Sequence, residues 1–233
     1  KSTIELIRSA LASGSTSRAQ KALDAARADL KTADARRHLT LWSGIVALEK
    51  GEFDTALERF QSLPVDASFR ESGYGVGAVR NWLARTHLSQ GDLRAAITVL
   101  DYVLTDDPNE FAFARLWEGI ALATLGMDDL AKRTWRRIGD EVTGLSGRSG
   151  QAAAASAGFL LGQLSEKQYR AEAATLGATF ENDMHFVLGF AASRAGEDGR
   201  ARIHYMRSME ATVGREFPWY LAREEVDGDG LAR

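Results

Sequence analysis

The sequence predicts an all-α solenoid of stacked helix pairs, and three observations carry that prediction. A short pattern of glycine, four variable residues and alanine recurs as Gly14…Ala19, Gly51…Ala56, Gly91…Ala96, Gly126…Ala131 and Gly196…Ala201. These glycines are separated by 37, 40, 35 and 70 residues, and Gly162 divides the last interval into 36 and 34. A fixed period of this size marks a repeat architecture, so six units fill the chain. On both sides of the glycines, apolar residues follow three- and four-residue spacing, the period of a helix with one buried face. Only three prolines occur in 233 residues, and Pro64 and Pro108 fall between units, where they close one helix pair and open the next.

The units follow in chain order. The first, around Gly14 and Ala19, keeps the pattern in part. In the second, Gly44 stands seven residues before the turn glycine and Phe60 nine after it, a small residue on one helix and a large apolar one on the other. The third is the clearest: Val79, Leu83, Thr86, His87 and Leu88 precede Gly91, and Leu93, Ala96, Ile97, Leu100, Val103 and Leu104 follow it. Glycine suits the turn because it takes positive φ without a Cβ penalty and ends the first helix. The alanine is small because the second helix approaches the first closely there. The small and large positions are Ala84 and Leu100 in the third unit, Gly119 and Trp135 in the fourth, and Gly189 and Tyr205 in the sixth. The fifth departs: Lys167 takes the alanine position, and Ala171, Ala173 and Ala174 indicate a shifted register, which predicts irregular packing. Residues 64–77 lengthen the connection to the third unit, and residues 144–150 read as a flexible glycine-rich joint before an alanine-rich helix over 151–159. A terminal helix near Trp219–Val226 reads as a cap, with 227–233 a flexible tail or the start of a truncated repeat. Residues 1–226 are thus expected to form one solenoid, since neighbouring units must cover each other's apolar faces.

The stretch from Asn81-Trp82-Leu83-Ala84 through Gly91-Asp92-Leu93-Arg94-Ala95-Ala96 to Leu100 and Pro108 resembles the tetratricopeptide repeat, and the likeness runs over nearly the whole chain. The resemblance implies a right-handed superhelix whose first helices line a concave groove. It also implies a protein-interaction role. Trp42, Trp82 and Trp117 each stand nine residues before their turn glycine, two residues later than the family's usual tryptophan. On a groove wall they form an aromatic stripe that anchors a ligand; turned inward, they pack unit against unit. The same register places Asn81, Arg85, Leu116, Ile120, Phe186 and Phe190 toward the groove. Asn81 and Arg85 resemble part of the Lys/Asn clamp with which some members hold a terminal carboxylate, but the lysines are missing. A mainly apolar groove that takes a helix or an extended segment is the expectation.

Composition excludes several other classes. Lys plus Arg total 29 against 32 Asp plus Glu, a net charge of −3 that argues against a nucleic-acid binder. Zero cysteines exclude thiolate sites, and no apolar run is long enough to cross a bilayer as a helix. The four histidines form no HExxH; His185 and His204 can meet across the sixth pair, where packing histidines are expected. Gly73, Gly75 and Gly77 follow no strand and precede no Lys-Ser/Thr, so they form no phosphate loop. Glu225, Asp227 and Asp229 match the opening of a calcium loop, but a repeat turn explains them equally. There is no GxSxG elbow and no α/β pattern to carry one. No catalytic, cofactor or metal residues are assigned. Residues 1–50 carry a net +4 and residues 51–150 a net −4, which suits an acidic partner or head-to-tail homo-oligomers. The 23 Arg against 6 Lys, the absence of cysteine and a leading Lys1 fit a bacterial chain of the periplasm or envelope with an export signal removed, or a fragment. The functional expectation is a non-catalytic adaptor or scaffold that holds a protein segment in its groove. A self-associating architectural module of a larger envelope complex is the alternative.

Overall fold

The computed structural model describes residues 3–27, 32–63, 76–101, 108–141, 144–145, 147–177, 180–211, 221–223 and 225–226. Among them lie twelve helices, a further helical stretch at residues 221–223 and 225–226, and no strand. They are α1 (Thr3–Ala12), α2 (Thr16–Arg27), α3 (Ala33–Lys50), α4 (Phe53–Gln61), α5 (Val76–Ser89) and α6 (Leu93–Asp101), followed by α7 (Pro108–Thr124), α8 (Asp128–Glu141), α9 (Arg148–Leu160), α10 (Glu166–Leu176), α11 (Glu181–Arg194) and α12 (Asp198–Ala211). Consecutive helices pack as six pairs and each pair stacks on the next, an all-α solenoid.

One turn closes all six pairs. Gly14, Gly51, Gly91, Gly126, Gly162 and Gly196 all have φ between 70° and 77°. In each, the glycine N–H donates to the carbonyl three residues back and the next N–H to the carbonyl five residues before the glycine's successor, as in Gly51 to Leu48 and Glu52 to Ala47, both at 2.9 Å. Two otherwise orphaned helix carbonyls are satisfied at every turn, and left-handed φ is what reserves the position for glycine. The small and large positions meet as the spacing requires. A Cβ on Gly44 would stand 2.6 Å from the Phe60 ring and one on Gly189 2.8 Å from Tyr205, while Gly119 lies still closer under Trp135.

The irregular fifth unit has a simple geometric cause. Every other second helix begins two residues after its turn glycine, but α10 begins at Glu166, four after Gly162. Its start is fixed by a reciprocal capping box between Ser165 and Gln168. The two added residues move the alanine position onto Tyr169 and the large position onto Ala173, so bulk and smallness change places. Tyr169 is buried, stacks on Phe159 with ring centroids 4.9 Å apart, and shares a hydrogen bond of 2.9 Å with Ser156 on the thin helix α9.

The glycine-rich joint is pinned. Gly147 N–H donates to Asn109 Oδ1 at 2.9 Å, and a Cβ on Gly147 would stand 2.9 Å from the same carboxamide. Glycine serves close approach there, and α9 begins at Arg148, inside the segment read as flexible. Residues 64–75 of the longer connection, Trp219 and the 227–233 tail lie outside the described residues. Leu221 and Ala222 are buried in the core at the end of the stack, the place of a cap. The core itself is in two parts. One runs from Ile7 to Val79 and the other from Ala84 to Ala222, so the seam crosses α5.

Candidate functional site

The shared register turns most of its members inward. Trp42 is 7% exposed, Trp117 1%, and Leu116, Ile120, Phe186 and Phe190 are also buried. As placed, these six side chains are packing residues and do not line an open groove wall. The reason is visible at Trp117, whose ring lies 6.2 Å from Phe113 and 5.3 Å from Phe186, centroid to centroid. Phe186 belongs to the sixth unit, two units along. It reaches Trp117 because the register position between them is Ala153, a single methyl group.

Trp82 and Arg85 differ: both are half-buried on α5, at the seam between the two cores. Trp82 stacks on Phe60 at 6.2 Å with 20° between the ring planes. The Arg85 guanidinium stands 4.5 Å from the centroid of Trp82 and 4.5 Å from that of Phe113, so one planar cation is clamped between two aromatic faces. Each such contact is worth about 0.5–2 kcal/mol, depending on how far it is withdrawn from water. With both faces covered, polar contacts to the guanidinium run through its in-plane N–H groups. The side chains around it are settled locally: Thr86 Oγ1 and Ser89 Oγ each donate at 2.8 Å to the carbonyls of Trp82 and Arg85. Asn81 is 8% exposed, and its Oδ1 meets no hydrogen-bond donor among the described residues. Rings and cation together make a continuous series from Phe60 through Trp82, Arg85, Phe113, Trp117 and Phe186 to Tyr205, which lies 5.6 Å beyond Phe186. Sequence spacing does not single out Phe113, the second jaw of the clamp, because its partner lies on the preceding unit.

Two buried polar groups lie elsewhere. Arg115 on α7 is 2% exposed, pairs with Glu118, and donates at 2.9 Å to the Leu100 carbonyl at the end of α6. Burial pushes the Glu118 carboxyl up and the Arg115 guanidinium down, each partly offset by the other's charge. In the sixth unit, His185 and His204 meet as the spacing allows, with Nδ1 to Nδ1 at 3.1 Å. Arg170 approaches His204 Nε2 at 3.3 Å and can only donate, so His204 carries its proton on Nδ1 and gives it to His185 Nδ1. A metal held between the two Nδ1 atoms would need both stripped of protons, which works against that arrangement. Burial, then Arg170 and His185, lowers His204 to about 4. Among the described residues no group of three or more His, Cys, Asp or Glu is placed to hold a metal, and no helix is long and apolar enough to cross a membrane.

The tetratricopeptide repeat model matches residues 4–70 and 43–111, the stretch that holds the first three glycine turns and the Trp82–Arg85 clamp. Residues 4–111 are assigned to the tetratricopeptide repeat family. The fourth and sixth units carry the same turn and the small and large pair, whereas the fifth keeps the turn and has Ala173 at the shifted large position. No curated protein matches the chain. Tetratricopeptide repeats generally mediate protein–protein interaction and are generally non-catalytic.

Proposed function

We propose that this tetratricopeptide repeat chain is a non-catalytic adaptor that holds a segment of a partner protein against α5, with Trp82 as apolar anchor and Arg85 and Asn81 orienting it. One observation carries the reading. Of the nine register residues, only Trp82 and Arg85 are half-buried rather than buried, and both sit where the two cores meet. A half-buried indole beside a fixed guanidinium is the composition of interface anchors, which favour Trp and Arg. The test is recovery of partners by the intact chain beside Arg85→Glu and Trp82→Ala/Arg85→Glu, with circular dichroism to establish that helicity persists. A partner retained by the wild type alone supports the reading; equal recovery by folded variants overturns it.

A second reading has its own observation. Among the described residues, four of the five exposed large apolar side chains lie on the turns and second helices of units four and six: Met127 (40% exposed), Leu130 (41%), Ile203 (53%) and Met206 (46%). They favour self-association through the outer face. Mass that rises with concentration in light scattering, and ceases to rise in Ile203→Asp/Met206→Asp, would establish that mode.

A further inference from the structure

The register shift in the fifth unit has left a vacancy. Units two, three, four and six fill the large position with Phe60, Leu100, Trp135 and Tyr205, all buried. In unit five that position is Ala173, followed by Ala174, and α10 touches α11 far less than α6 touches α7. Between α10 and α11 lies a cavity of about 340 Å³ lined by Arg170, Ala173, Ala174, Gly177, Glu181 and Met184. That volume falls within the size class of ligand pockets.

Its walls define what fits. Ala173, Ala174 and Met184 make an apolar floor, and a thioether sulfur favours contact with aromatic edges. Arg170 stands at one side, held by Glu166 at 2.7 Å and by His204 at 3.3 Å, so its guanidinium is fixed in advance and suited to stacking on a ring. Exposed Glu181 stands at the other side, a carboxylate suited to a cation on the incoming segment. We propose that this gap is a socket for one aromatic side chain of a partner protein, flanked in the partner by a lysine or arginine, and that the partner supplies the large residue the fifth unit lacks. The socket is separate from the Trp82–Arg85 clamp, and neither depends on the other.

The probe is N-acetyl-tryptophanyl-lysinamide, titrated into the full chain carrying ¹³C-methyl methionine, with N-acetyl-alanyl-lysinamide as control and Met184→Leu to assign the Met184 methyl signal. The expected result is a saturable ring-current shift of Met184, absent with the alanine control and lost in Ala173→Leu, whose side chain occupies the socket. No saturable shift at millimolar probe, a shift centred on Met127, Met206 or Met209, or an unchanged shift in Ala173→Leu overturns the proposal. The thermal midpoint of Ala173→Leu gives a second readout. A midpoint at or above wild type agrees with a leucine entering vacant space, and a clear fall shows that the space is not there and overturns the assignment.

Discussion

Units four and five share one glycine turn and solve the packing problem in opposite ways. In unit four the first helix buries Arg115, Trp117 and Glu118, and Gly119 gives way to Trp135 on the second helix. At the corresponding positions unit five has Gln151, Ala153, Ala154 and Ala155, and the ring comes from Tyr169, two residues out of register. What the two units share is the turn and a ring on the second helix; the first helix of unit five is thinned to alanines, and its second helix carries the ring two residues later. A thin α9 has a further effect. It lets unit six touch unit four, through Phe186 on Trp117, an Arg194 hydrogen bond of 2.7 Å to the Ala123 carbonyl, and an Arg194–Asp128 ion pair.

The sharpest way to break this contrast is to remove charge from unit four. Arg115→Ala leaves Glu118 buried without its cation and should cost about 3–5 kcal/mol in urea unfolding. Gln151→Ala, its exposed counterpart in unit five, should stay within about 0.5 kcal/mol. Replacing both unit-four partners, as Arg115→Met/Glu118→Leu, should recover most of the loss. Gly119→Ala comes next, because the new Cβ enters the space of the Trp135 ring; about 2–3 kcal/mol is expected from overpacking.

Acid should separate the later units from the earlier ones by a comparable or smaller amount. The unfolded chain protonates its histidines near 6.5, whereas buried His204 resists until about 4, and His185 is lowered by burial and by Arg170 and Arg207. Glu166, Arg170, Arg200, Arg207 and Glu181 are the charged groups that act on the pair. More protons therefore bind the unfolded state in that window, so this stability is complete above pH 6.5 and drains as pH falls toward 4, on the order of 2 kcal/mol. His185→Gln/His204→Gln should flatten the slope in part only, since burial also lowers His87 in unit three. The smallest effect has the opposite sign. A Cβ on Gly158 meets Leu164 at an ordinary 3.4 Å, so Gly158→Ala should stabilise α9 by about 0.5–1 kcal/mol, measured as a raised thermal midpoint.

The features legible in the sequence are those fixed by local geometry. Left-handed φ demands glycine at each turn, and Gly44, Gly119 and Gly189 follow from contact at a constant offset within one pair. The His185–His204 meeting is of the same kind. What spacing does not reveal depends on neighbouring units. Trp82 and Trp117 hold the same register position, yet one stays half-buried and the other is closed over by Phe186. The clamp on Arg85 needs Phe113 from the next unit. The shift in unit five did leave a signal, Ser165-x-x-Gln168, which is a helix-start signature two residues beyond the usual place.

The span from unit four to unit six changes how the solenoid should come apart. A ladder in which each rung touches only its neighbours can fray one rung at a time. Here the third-last and last rungs are buttoned together over the one between them, so units four to six should open as a single block, with their amides exchanging at one common rate. The first two units share the other core and should exchange on their own schedule. Helix α5 lends residues to both cores, so the two blocks should part along it, where the Arg85 clamp ties unit three to unit four.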